Sequence, residues 1–280
     1  MIDAVYVDSD PIIEIEAMGA RIRYPEDESP SVLEPRVKDR NDIRSLKLPD
    51  PERDGRLPVW LDAIRILRER VGGEFAVFAN INGPFQAAAQ LLGMLGAAKS
   101  MRRSPDLLIE LLELTTETIV NFMKAEIKAG ADAIILGDPM SSTNVISPQE
   151  FTSFSLPYIQ KVVSSAGEIP IILHICGNTT RIIDRMVETG ARYLELDWSV
   201  DMAPIRSKYE NTVGLIGNVN PTLLLTGTPD LVEESCRRSI ASAGLTGASI
   251  LGTGCELPKD TPYQNLDKMI ASAEKFGRYD

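Results

Sequence analysis

Short apolar stretches recur along the chain, with helical patterns between them. Most of these stretches are near-continuous and rich in β-branched residues, which is typical of parallel strands that are covered on both faces. We therefore predict strands at residues 4–7, 75–81, 133–136, 170–175, 193–197, 213–217 and 249–252. The alternation of strands and helices predicts an α/β fold with a parallel sheet, either open or closed into a barrel.

Ser-Pro and Thr-Pro pairs mark the predicted helix starts. A hydroxyl side chain accepts a hydrogen bond from a free N–H group, and proline suits the first helical position. Ser147 is followed three residues later by Glu150, which fits a capping box. The pairs begin at Ser104, Ser147, Thr228 and Thr261.

Residues 20–57 differ from the rest of the chain because they are polar and rich in proline. We interpret them as a loop-rich excursion between the first strand and a helix near residues 58–69. An eighth strand is either hidden within residues 20–24 or absent. The whole chain, residues 1–280, is predicted to form one barrel domain.

Composition excludes several classes of function. The net charge of −11 argues against a nucleic-acid backbone or an anionic membrane as partner. No apolar stretch approaches the length that a bilayer requires, and the N-terminus lacks the pattern of a secretory signal. The three cysteines cannot all pair, which indicates the reducing cytoplasm and favours ligand or catalytic roles for them.

One histidine and two cysteines carry the chemical signal. His174, the only histidine, is followed by Cys176 and Gly177, and Cys255 follows Gly254. His174 and Cys176 are two residues apart, so on an extended segment they point to the same face. One imidazole and two thiolates suit tetrahedral zinc and leave one position open for chemistry. The alternative is a buried core histidine with two inert thiols.

Polar residues also stand at the carboxyl ends of the predicted strands, where functional residues gather in parallel α/β folds. We predict that Asn82, Asp138 and Asn218 contribute to a cofactor pocket, although each type is also common in turns and helix caps. Asp197 is the predicted fourth metal ligand, displaceable by substrate. The alternative for Asp197 is a carboxylate that supports the ligands or caps a helix.

The predicted ligand set indicates a particular chemistry. Hydrolases that activate water on zinc prefer histidine and carboxylate ligands, whereas a sulfur-rich zinc site suits the binding and activation of a thiol. A thiolate held at neutral pH is a nucleophile for alkyl transfer to sulfur. His174, Cys176 and Cys255 are therefore the predicted catalytic residues. Cys236 lies in an amphipathic helical pattern, and we interpret it as structural.

Several segments over residues 130–180 and 213–279, together with residues 82–85, resemble the uroporphyrinogen decarboxylase superfamily. These segments are Asn82-Gly83-Pro84-Phe85, Gly130-Ala131-Asp132-Ala133-Ile134, Asp138-Pro139, Ile146-Ser147-Pro148 with Phe151 and Leu156-Pro157-Tyr158, Gly217-Asn218-Val219-Asn220-Pro221, and Thr261-Pro262 with Asn265-Leu266. The resemblance implies a TIM-type (β/α)8 barrel.

Within that superfamily, His174, Cys176 and the Cys255-Glu256-Leu257-Pro258 segment resemble the zinc-dependent corrinoid methyltransferases. This resemblance implies zinc on His174, Cys176 and Cys255, with a family carboxylate ligand at Asp197. It also implies transfer of a methyl group between a corrinoid (methylcobalamin) on a separate corrinoid protein and a small thiol such as coenzyme M or homocysteine.

Two alternatives stay open at this point. One is a metal-free decarboxylase of tetrapyrrole biosynthesis, although the Arg-rich N-terminal segment with which those enzymes grip carboxylates is missing. The other is a non-catalytic relative that binds zinc or corrinoid. The chain begins where relatives usually have already completed a first barrel strand, so we expect a barrel that lacks this strand. A homodimer or a local rearrangement would then cover the seam.

Overall fold

A computed structural model describes residues 4–8, 10–210, 212–244 and 248–278. Residue 279, at the end of the segment that carries the resemblance, lies outside these ranges. Nine strands are present in the described chain: β1 Ala4–Val7, β2 Ile22–Arg23, β3 Ser31–Val32, β4 Ala76–Asn82, β5 Ala133–Gly137, β6 Ile171–Ile175, β7 Tyr193–Leu196, β8 Gly214–Val219 and β9 Ser249–Thr253.

Seven of these strands form one parallel sheet in the order β1-β4-β5-β6-β7-β8-β9. Helices connect its consecutive strands, which is the topology of a TIM-type barrel with seven of its eight strands. The seven predicted strands are thereby confirmed, and so is the α/β class. Among the described residues, β1 and β9 are the edge strands of this sheet. Self-association across these edges stays a prediction.

Helices cover one face of the sheet. Their bounds are α1 Ile13–Ala17, α2 Arg40–Arg44, α3 Leu57–Val71, α4 Pro84–Leu92, α5 Met94–Arg103, α6 Pro105–Ala129, α7 Pro148–Phe154, α8 Leu156–Ser165, α9 Ile183–Glu188, α10 Met202–Tyr209, α11 Pro221–Thr226, α12 Pro229–Ala243 and α13 Tyr263–Phe276. Among the described residues, no helix is both long enough and apolar enough to cross a bilayer.

The two faces of the sheet carry different cores. Alternate strand residues such as Ile134, Leu173 and Leu194 pack with the helices in the main hydrophobic core. The intervening residues face the other way, where a smaller cluster contains Ile172 and Ile216. We call this second side the inner face. Because side chains alternate along a strand, every second residue beyond Ile172 also belongs to the inner face.

Most local predictions agree with the structure, and three need correction. Ser147 and Thr228 accept the predicted capping hydrogen bonds, and Ser147 and Glu150 form the capping box. The hydroxyl of Ser104 makes no such bond. Thr261 does not cap α13, because its hydroxyl donates to the carbonyl of Pro258. The strand sought in residues 20–24 is only the two-residue β2, which pairs with β3 in a separate hairpin.

Candidate functional site

The sheet brings His174, Cys176 and Cys255 together at the carboxyl ends of β6 and β9. His174 lies on the inner face near the end of β6, and Cys176 follows in the turn after that strand. Cys255 lies two residues beyond the end of β9. We call these three residues the thiol–imidazole cluster. Two strands, β7 and β8, lie between β6 and β9 in the sheet, so the three residues meet because the sheet curves.

The donor atoms of the thiol–imidazole cluster lie close together. Nε2 of His174 is 3.2 Å from Sγ of Cys176, and the two sulfur atoms are 3.9 Å apart. All three donor atoms lie within 4.8 Å of one another, and all three residues are half-buried. The cysteines do not form a disulfide. The predicted juxtaposition is therefore present in the fold.

This arrangement fits a zinc ion. With zinc–sulfur bonds of about 2.3 Å and tetrahedral angles, two thiolate ligands stand about 3.8 Å apart. The observed sulfur–sulfur distance of 3.9 Å agrees with that value. Two soft thiolates and one imidazole are also the donor types that zinc takes in proteins. His174, Cys176 and Cys255 are the residues that would hold the metal.

The cluster perturbs its own ionisation. Contacts with Cys176 and His174 lower the pKa of Cys255, whereas the contact with Cys255 and burial raise the pKa of Cys176. Burial lowers the pKa of His174, but its contacts with Cys255 and Glu195 outweigh burial and raise the pKa. The three groups among themselves therefore favour one thiolate beside a protonated imidazole.

Glu195 is the carboxylate that faces the other side of the imidazole. It is paired in register with His174 across β6 and β7, so both side chains lie on the inner face. Oε2 of Glu195 stands 3.3 Å from Nδ1 of His174. This is ion-pair distance, and Nδ1 makes no hydrogen bond among the described residues. Asp197, not Glu195, is the carboxylate that the sequence predicts as a ligand.

Asp197 has a different environment. One carboxylate oxygen accepts a 2.9 Å hydrogen bond from the backbone N–H of Gly177, and the other accepts bonds from the N–H and hydroxyl of Ser199. Asp197 is not part of the group of donor atoms that could hold a metal among the described residues. The predicted ligand role of Asp197 stays a prediction, and its contacts favour the alternative of a carboxylate that supports the cluster.

The three residues predicted for a cofactor pocket are engaged in hydrogen bonds with other parts of the fold. Asn82 donates to the buried carboxylate of Glu14 through both its backbone and side-chain N–H groups. The side-chain amide of Asn218 donates to the carbonyls of Asp197 and Val200. These bonds link the carboxyl ends of β4 and β8 to neighbouring elements. Contact of Asn82 or Asn218 with a cofactor stays a prediction.

Asp138 is linked directly to the strand that carries His174. Its backbone N–H donates to the carbonyl of His174, while its carboxylate accepts from the N–H of Gln86. Burial raises the pKa of Asp138 to about 7, and the hydrogen bond from Gln86 only partly opposes the effect. Its other carboxylate oxygen is buried without a partner among the described residues. Cofactor binding by Asp138 also stays a prediction.

Trp198 was missed as a candidate, although it lies between the two parts of the site. It directly follows Asp197, and its side chain is 52% exposed. A side chain added at Gly254 would meet the backbone of Trp198, so the loop before Cys255 packs closely against Trp198. An exposed indole next to the loop that carries Cys255 provides a flat apolar surface at the edge of the site. The signal available in the sequence was its position at a strand end.

Comparisons with known proteins identify the family to which the chain is related. The family model described as uroporphyrinogen decarboxylase (URO-D) matches residues 1–276. Methylcobamide:CoM methyltransferase MtbA of Methanosarcina acetivorans is 31% identical over 98% of this chain and 80% of its own length. A uroporphyrinogen decarboxylase of Methylobacillus flagellatus is 30% identical over 96% of this chain and 77% of its own.

A solved structure gives the same result for the fold. A methyltransferase from Methanosarcina mazei superimposes with a TM-score of 0.90 at 29% identity, covering 99% of this chain and 81% of its own. The prediction of a TIM-type barrel enzyme related to methyltransferases is thereby confirmed. The chain belongs to the uroporphyrinogen decarboxylase (URO-D) family, and methylcobamide:CoM methyltransferases are among its relatives in that family.

Proposed function

We propose that this chain transfers a methyl group between a corrinoid and a thiol, with zinc held by His174, Cys176 and Cys255. The observation that carries the proposal is the thiol–imidazole cluster at the carboxyl end of the sheet. The relative of 31% identity, named for methylcobamide and CoM, supports the same reaction class. The cluster explains how a fold of this family would perform chemistry on sulfur.

Zinc bound at the cluster would lower the pKa of a thiol placed beside it and hold that thiol as a thiolate at neutral pH. Cys176 and Cys255 supply the soft donors, and His174 supplies a neutral nitrogen when its proton leaves. Because the three residues are only half-buried, a small thiol can approach them from the carboxyl end of the sheet, which we call the mouth. The Cys236 thiol is fully buried on α12 and takes no part.

In the proposed reaction, the thiolate sulfur attacks the methyl carbon of a methyl-Co(III) corrinoid. A sulfur–carbon bond forms while the carbon–cobalt bond breaks, and both bonding electrons leave with cobalt as Co(I). The corrinoid would lie at the mouth, presented by a corrinoid protein. Trp198 offers an exposed aromatic surface there. Coenzyme M is the first thiol to test, and homocysteine the second.

Uroporphyrinogen decarboxylation is the second candidate, because a relative of that name is 30% identical over most of the chain. Its substrate carries many carboxylates and needs basic groups to bind them. Arg56 is a cation close to the end of β1, yet Asp10 and Glu16 already pair with it. With His174 and two thiols at the mouth instead, the geometry favours methyl transfer.

The test is a methyl-transfer assay on zinc-loaded protein with methylcobalamin and coenzyme M. Loss of the methylcobalamin absorbance, with methylated thiol identified by mass spectrometry, is the expected result. His174→Ala should abolish it, and Cys236→Ala is the matched control that keeps it. Decarboxylation of uroporphyrinogen without zinc would establish the second candidate. Binding of zinc and cobalamin with no turnover on either thiol would indicate a non-catalytic relative.

A further inference from the structure

We propose that Glu195 is a positioning residue that fixes the imidazole of His174 so that Nε2 faces the two thiols. This inference rests on the proposed function, since it assigns a role within the same metal site.

The strand register places Glu195 beside His174. The two residues are direct partners in the parallel pairing of β6 and β7. Neighbouring strands stand about 4.8 Å apart, so side chains at paired positions on one face touch when they are long enough. The carboxylate of Glu195 reaches Nδ1 of His174 at 3.3 Å. Neither residue lies in a loop, so the strands themselves hold the two groups together.

The two nitrogens of the imidazole then have separate tasks. Nε2 points at Sγ of Cys176 at 3.2 Å, whereas Nδ1 is buried and faces the carboxylate. A proton on Nδ1 would be held by the carboxylate, leaving the lone pair of Nε2 for a metal. Metal-binding histidines commonly place a carboxylate at the second nitrogen, which fixes ring orientation and increases ligand basicity.

The contrast with Asp197 separates positioning from ligation. Asp197 stands two residues beyond Glu195, but both of its oxygens accept hydrogen bonds from Gly177 and Ser199. Gly177 directly follows Cys176, so Asp197 holds the turn that carries one thiol. Glu195 holds the ring that carries the nitrogen. The two carboxylates therefore act on different ligands of the cluster.

The experiment uses Glu195→Gln in the full chain, with Glu117→Gln on the exposed side of α6 as the matched control. Zinc affinity is measured by competition with a chromogenic chelator. We expect Glu195→Gln to weaken zinc binding by about 10- to 100-fold, and Glu117→Gln to leave it unchanged. The melting temperature of the metal-free protein should match wild type in both, because a positioning role acts on the loaded site.

The single histidine permits a second readout that a structural defect would not mimic. In zinc-loaded, 15N-histidine-labelled protein, long-range 1H–15N spectra report one imidazole. We expect metal on Nε2 and a proton on Nδ1, with the Nδ1 resonance shifted in Glu195→Gln. Metal on Nδ1, or zinc affinity of Glu195→Gln within threefold of wild type, would overturn the inference. Wild-type protein that binds no zinc would instead remove the proposed function.

Discussion

The fold buries ionisable groups in two places, the thiol–imidazole cluster and the carboxyl of Glu126, and the two environments are opposite in kind. In the cluster, each group lies within 4 Å of another polar group, and the mouth of the sheet gives partial access to solvent. Glu126 lies in α6, fully buried, and neither of its carboxylate oxygens has a hydrogen-bond partner among the described residues. The first arrangement is suited to binding a cation, whereas the second is tolerable only when the carboxyl is neutral.

The pKa values of buried carboxyls also depend on whether the group has hydrogen-bond partners. Burial raises the pKa of Glu126 well above its ordinary value, and the nearby carboxylate of Glu14 adds to the effect. Glu14 is also buried, but it accepts two bonds from Asn82, which partly oppose the effect of burial. Polar groups in this fold are thus costly where they stand alone and useful where they converge. Three changes test this comparison.

The largest effect is expected from removing one thiol of the cluster. In Cys176→Ala, zinc should fall from about one ion per chain to near zero, because only two ligands remain. Methyl transfer should drop at least about 100-fold, since even partners of ligands cost 10- to 100-fold. Elemental mass spectrometry and the coenzyme M assay measure the two quantities. Full zinc occupancy with intact activity would exclude Cys176 as a ligand.

A smaller effect, on stability alone, is expected from Glu126→Gln. The pKa of Glu126 is higher in the folded chain than in the unfolded chain. Its contribution to stability is therefore complete below the unfolded value and is lost as pH rises through the folded value. At pH 8 the melting temperature should rise by at least about 2 °C, which corresponds to about 1 kcal/mol in a chain of this size.

At pH 4 the difference between Glu126→Gln and wild type should shrink, since both side chains are then neutral. Zinc content should not change at either pH. Melting curves across this range, with the exposed Glu117→Gln as control, provide the measurement. A melting temperature that falls in Glu126→Gln at pH 8 would show that the carboxylate has a partner that stabilises its charge.

The smallest effect is expected from Asp197→Asn. Asparagine keeps one acceptor oxygen but presents an amide to the N–H of Gly177 or Ser199, which removes about one hydrogen bond's worth of stability, about 1 kcal/mol. The melting temperature should fall by about 2–4 °C, and zinc should stay at about one per chain. Loss of zinc in Asp197→Asn would instead identify Asp197 as the fourth ligand.

The sheet and the thiol–imidazole cluster could be predicted from the sequence, and the reasons are physical. Parallel strands buried on both faces appear in the sequence as near-continuous apolar runs, so all seven strands of the sheet could be predicted from this pattern. The cluster could be anticipated because His174 and Cys176 share a face and strand ends of a parallel sheet converge. The register between neighbouring strands could not be predicted from the sequence. Only the pairing of β6 with β7 shows that Glu195, rather than Asp197, stands against the imidazole.

The hydrogen-bond partners of the polar residues at the strand ends could not be predicted from the sequence either. Asn82, Asp138 and Asn218 were selected as strand-end polar residues, but the same position suits a residue that ties one loop to the next. Their hydrogen bonds depend on neighbours distant in sequence, such as Glu14 for Asn82. The partner of a polar side chain across such distances follows from tertiary packing, which a single sequence does not contain.

The central claim is that the thiol–imidazole cluster binds zinc and that this zinc receives the substrate thiol. X-ray absorption at the zinc edge, with and without coenzyme M, tests both halves in one measurement. We predict zinc–sulfur distances of about 2.3 Å with two sulfur ligands in the free protein, and three after the thiol is added. Zinc without sulfur ligands, or a sulfur count that coenzyme M leaves unchanged, would contradict the account.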